Sequence, residues 1–128
     1  MKESPYDQIM NVLRKDPRYA LGAYRFIYEA LDYTGQKVVG EKRHVTGQEL
    51  LLGIRLCAVE QFGPLAKMVF NNWGVYKPRD FGDMVFNLVN AGLMGRTETD
   101  SVDDFDEGFD IDTVFWEDFY NKEIKVYY

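Results

Sequence analysis

Val45-Thr46-Gly47-Gln48-Glu49-Leu50-Leu51-Leu52-Gly53-Ile54-Arg55-Leu56-Cys57-Ala58-Val59-Glu60-Gln61-Phe62-Gly63-Pro64 is the stretch on which the fold turns. Thr46 and Glu49 stand at capping-box spacing: the threonine hydroxyl takes an orphan amide and the glutamate reaches back. Val45 and Leu50 are spaced as a hydrophobic staple. Leu50, Leu51, Ile54, Cys57, Ala58 and Phe62 recur at three- and four-residue steps, one face of a helix. Gly63-Pro64 ends that helix and opens the next. A helix over 47–62 is therefore predicted.

Working outward, four more helices have start and stop signals. Ser4-Pro5-Tyr6-Asp7 reads as an N-cap, a first-turn proline and an acid, with Ile9, Met10 and Leu13 behind it. Asp16-Pro17 repeats the start signal, and Ala20, Ala23, Tyr24, Ile27, Ala30 and Leu31 follow as one face, closed by Gly35. Leu65, Met68, Val69 and Trp73 carry a helix from Pro64 to Gly74. Pro78 begins a fifth, with Phe81, Met84, Val85, Leu88 and Val89 inward and a Schellman ending at Gly92-Leu93. The predicted spans are about 5–14, 18–34, 47–62, 65–73 and 79–91. Residues 36–45 read as a connector with a short strand at Val38-Val39.

Past residue 93 the pattern changes. Ser101 to Asp104 can cap one turn. Phe109-Asp110-Ile111-Asp112-Thr113 alternates with period two, a strand signal, although Asp112 is equally placed to cap a short helix. Glu123 to Tyr128 alternates as well. The expected fold class is mainly α, with five core helices and short C-terminal β segments. Two of the helices, 64–73 and 78–91, have helix-turn-helix spacing. A hairpin of 93–99 with 109–113 would make that unit winged-helix-like. One domain is expected over 1–128, a body of 1–97 with the segment 98–128 docked on it.

Composition prunes the chemistry. The chain has one His and one Cys, so no zinc site of several Cys and His ligands forms within it. Its two serines, Ser4 and Ser101, sit at helix starts, and no local signature supports a triad with His44. No glycine-rich phosphate loop is present. No run of about 18 apolar residues and no secretory leader is found, and Cys57 has no disulfide mate, so a cytoplasmic protein is expected. Net charge is −6, unevenly spread: 13 Lys+Arg against 10 Asp+Glu in 1–97, and 2 against 11 in 98–128. A mildly basic body thus carries a strongly acidic end.

The segments Arg43-His-Val-Thr-Gly-Gln-Glu-Leu-Leu-Leu-Gly-Ile-Arg55, Phe62-Gly-Pro-Leu-Ala66, Asn72-Trp-Gly-Val75 and Asp80-Phe-Gly-Asp-Met-Val-Phe-Asn-Leu-Val89 resemble a small family of bacterial proteins of planctomycete and verrucomicrobial type. Glu98 to Phe105 fits its tail as well, and the likeness spans residues 5 to about 115. The resemblance implies no activity. Lys77 departs from the Ser/Thr cap usual there.

Several sites compete with plainer readings. As a DNA-reading helix, 78–91 would present Arg79, Asp83, Phe86, Asn87 and Asn90, with Lys77 at its start. Asn can read adenine. Two cations neutralise few phosphates, however, and the wing acids Asp100, Asp103, Asp104, Asp106 and Glu107 repel them. A calcium loop through Asp103 fails, because Phe105 and Val114 fall where oxygen ligands are required. Arg43-His44 before a helix start could hold an anion, although Thr46 and Glu49 consume that capacity. Cys57 lies on an apolar face as an inert thiol. Phe105, Phe109, Ile111, Phe115, Trp116 and Phe119 interleave with acids, which suits docking on the body or a basic, greasy partner groove.

The leading expectation is a non-enzymatic protein-interaction module with an unidentified protein partner and no membrane. Its candidate surface comprises Arg43, His44, Lys77, Arg79, Phe109 and Trp116. No catalytic residue, metal or cofactor is assigned. One alternative is a nucleic-acid-associated regulator of winged-helix type, masked by its tail at basic residues of 14–43 and disfavoured by charge. The other is a ligand-binding or enzymatic domain with a pocket that the sequence does not mark.

Overall fold

The computed structural model describes residues 3–95, 102–106 and 108–118. Among the described residues five longer helices follow in order: α1 Pro5–Lys15, α2 Leu21–Tyr33, α3 Gly47–Phe62, α4 Ala66–Asn72 and α5 Pro78–Asn90. A π-helical turn, Thr34–Val39, extends α2, and a short 3-10 turn, Gly63–Leu65, joins α3 to α4. A second 3-10 turn, Val102–Phe105, and a helical stretch at 114–118 follow.

Local chemistry sets most boundaries. The Ser4 hydroxyl accepts from the Asp7 amide at 3.1 Å and opens α1. Thr46 and Glu49 form both bonds of the capping box, at 3.2 and 3.0 Å. At α5 the cap comes from the third helical residue instead, since Lys77 offers no acceptor. The Asp80 carboxylate accepts from the Tyr76 and Lys77 amides at 2.9 and 3.2 Å. Gly92 takes φ 77°, and the Leu93 amide reaches back to the Leu88 carbonyl at 2.9 Å, closing α5 as a Schellman motif.

Several expectations are corrected. Helix α2 starts at Leu21 rather than near 18, because Asp16 caps the end of α1 and binds Arg18. Tyr19 is meanwhile drawn inward to Asp80. Gly35 does not end that helix. The chain continues through the π turn, where a strand at Val38-Val39 was expected, and Gly40 at φ 74° supplies the left-handed cap. No strand occurs among the described residues, so the 109–113 strand and the wing built on it are absent. Ile111, Val114 and Phe115 are buried, and their three- and four-residue spacing is helical. The Asp110 carboxylate and carbonyl accept from the Asp112 and Val114 amides, so the turn starts at Asp110 and not at Asp112. Residues 123–128 lie outside the described residues.

Aromatic packing organises the core. Phe70 lies at its centre, with Phe81 at 5.1 Å, Phe26 and Phe115 each at 5.4 Å, Trp73 at 6.1 Å and Phe62 at 6.3 Å between ring centroids. Phe105, Ile111, Val114 and Phe115 of the acidic segment belong to this same core. The segment's charges pair with the later helices: Asp118 with Arg55, Asp112 with Lys67, and Asp103 and Asp106 with Arg79. No such pair to the basic residues of 14–43, the partners expected from the sequence, occurs among the described residues.

Candidate functional site

Between the π turn, the start of α3 and the outer side of α5, the described residues enclose a groove of about 990 Å³. Leu31, Val85, Phe86, Val89, Met94 and Phe105 supply its apolar surface. Asp32, Gln36, Glu41, Lys42, Arg43 and His44 supply its polar rim.

Each wall has a local cause. Thr34 is fully buried, its hydroxyl donates to the Ala30 carbonyl at 2.6 Å, and its side chain fills the place a Cβ on Gly53 would take. That contact seats the π turn on α3. At the other end the Phe105 ring wedges between α3 and α5, where a Cβ on Gly47 would meet it at 3.1 Å and one on Gly82 at 2.9 Å. Phe86 projects from α5 and stays 47% exposed.

Arg43 is the most fully paired charge of the rim. Arg43 donates to Glu49 through Nη1 and Nη2 at 3.0 and 2.7 Å, to Glu41 at 3.0 Å and to the His44 carbonyl at 3.0 Å. This pairing, with the Thr46 amide behind it, holds the Glu49 carboxyl down at about 2 and raises the Arg43 guanidinium. The Gln36 amide donates to Asp32 at 3.2 Å. Lys42 and Arg43 balance Asp32 and Glu41 in formal charge.

The expected site residues separate. Arg43 and His44 line the groove, whereas Lys77, Arg79, Phe109 and Trp116 are not among its lining residues. Arg79 is held by Asp106 at 2.6 Å and Asp103 at 3.2 Å, which raises its guanidinium. Phe109 is half-buried, its ring 5.5 Å from Phe115, and Trp116 is 59% exposed on the outer side of its helix. On α5, Asn87 turns inward to Asp16 at 2.9 Å and the Tyr24 hydroxyl at 3.1 Å. Cys57 is buried, and burial pushes its thiol up, away from nucleophilic use.

Sequence reasoning missed the groove itself. Val85 and Val89 read as core positions but are only half-buried, and Gly35 read as a helix stop. The available signal was Phe86, an aromatic on the outward side of an otherwise polar helix face. No group of three or more metal-ligating side chains is found among the described residues, and none of their helices is long and apolar enough to cross a membrane. No family model, curated protein or solved structure matches the chain.

Proposed function

We propose that this chain is a non-enzymatic binding module whose groove takes an uncharged, largely apolar small molecule. The observation that carries this reading is the groove, about 990 Å³ with an apolar surface and a charge-balanced rim. Small-molecule sites fall in the range of roughly 300–1,000 Å³, mostly apolar with a few polar groups. An anionic ligand would compete with Glu41 and Glu49 for Arg43, which already donates to both, and a neutral one would not.

The test is a fluorescence titration of the full chain with the neutral dye N-phenylnaphthylamine. Saturable binding to the wild type and about a tenfold loss in Phe86→Asp, with unfolding unchanged, are expected. Dye affinity indifferent to Phe86→Asp overturns the reading.

A protein-interaction module is the second reading, supported by the exposed apolar side chains Leu52 and Leu56 on α3, Leu65 before α4, and Met68 on α4. It becomes the better account if the dye does not bind. The nucleic-acid reading loses ground on two observations: Arg79 is neutralised within the chain, and Asn87 faces inward.

A further inference from the structure

The chain has 11 glycines, and the fold accounts for all but two. Gly40, Gly63, Gly74 and Gly92 adopt positive φ. Gly22, Gly47, Gly53, Gly82 and Gly108 lie so close to neighbouring side chains that a Cβ would press on them. Gly35 and Gly95 meet neither condition, and both line the groove. Gly95 lies in irregular chain, where glycine costs the fold little.

Gly35 is different. It sits inside the π turn, where the backbone is helical and glycine is less stable than alanine. A Cβ there would meet none of the described residues within 4 Å. The Gly40 amide closes the turn on the Gly35 carbonyl at 3.0 Å, a bond spanning five residues. Turns of this type are rare and concentrate at functional sites. The fold thus forgoes a more stable residue at a point that opens directly onto the groove.

We infer that Gly35 is where the ligand lies against the chain's own backbone, and that the bare main chain there sets the size of neutral apolar molecule the groove accepts. This rests on the groove reading above and adds a size-determining residue to it. A side chain at position 35 would start in open space and shorten the groove from the π-turn end.

The experiment uses the full chain with N-phenylnaphthylamine as reporter, displaced by n-hexanol or n-dodecanol. Gly35→Leu should keep the wild-type affinity for hexanol and lose about tenfold for dodecanol. Gly35→Ala should weaken dodecanol by about threefold and unfold at an equal or higher temperature, since alanine favours the helix. Should Gly35→Leu fail to fold, Gly35→Ala decides on the same criteria. If Gly35→Ala lowers the unfolding temperature, the fold itself requires glycine and the inference falls. Wild-type affinities for both alcohols in the Gly35 variants, with dye binding still lost in Phe86→Asp, overturn the inference and leave the groove reading standing. Absence of dye binding to the wild type removes both.

Discussion

Phe115→Ala is expected to destabilise the protein by about 3–5 kcal/mol, the usual range for deleting a buried phenylalanine ring. The ring is 1% exposed and packs edge-on against Phe70 at 5.4 Å and Phe109 at 5.5 Å. Phe70 is itself braced by Phe26, Phe62, Trp73 and Phe81, so it cannot move far to fill the hole. The loss should therefore fall in the upper half of that range. Trp116→Ala is the matched control: one residue along the same segment, but 59% exposed. Its cost should stay under about 1 kcal/mol, despite the larger side chain. With a urea slope of roughly 2 kcal/mol per molar, Phe115→Ala should bring the midpoint down by about 2 M, and Trp116→Ala by less than about 0.5 M. Equal, small shifts in the two variants would mean that the acidic segment does not unfold with the body, and the packing argument would fail.

Two further outcomes are expected. Thr46→Ala should lower stability by about 1 kcal/mol, because the Glu49 amide loses the hydroxyl it donates to; an unchanged denaturation midpoint would refute the cap. The Asp16 carboxyl is held down from 3.8 to about 2, first by the Arg18 guanidinium and also by the Asn87 amide, against the opposing pull of burial. Because the folded value lies below the ordinary one, the stabilisation is fully present above pH 3.8 and is lost as pH falls through about 2. Asp16→Asn should flatten the dependence of stability on pH in that window, and a slope equal to the wild type's would count against the assignment.

Helix ends were readable where a few neighbouring residues decide them. Ser4, the Thr46-Glu49 pair, Gly63-Pro64 and Gly92-Leu93 each close a hydrogen-bonded ring within a handful of positions. The failures share the opposite property. The start of α2 depends on Tyr19 reaching Asp80 and on the Ala20 amide reaching the Trp73 carbonyl. The helix runs past Gly35 because Thr34 fits the space beside Gly53. At 109–115 two periodicities overlap, and only the packing of Ile111, Val114 and Phe115 into the core selects the helical one. Segment charges predicted attraction between the acidic end and a basic body but carried no information about place. Burial of Phe105 and Phe115 sets the place, which brings the acids to Arg55, Lys67 and Arg79.

The groove was hidden for a related reason: its walls come from residues 31–50, 82–89, 94–95 and 105, so no local motif spans it. Arg43 attracted notice as a cation before a helix start, yet its bonds to Glu49 and Glu41 account for it as a brace of the cap. A residue the fold already explains says little about ligands. Residues that work against stability say more. Gly35 forgoes a helix-favouring side chain where no described residue would crowd one, and Phe86 leaves an aromatic ring 47% exposed beside the groove. Both open on the same groove, although they lie on separate elements far apart in sequence. Helix stability would favour alanine over Gly35, and a shared ligand supplies one reason for both residues.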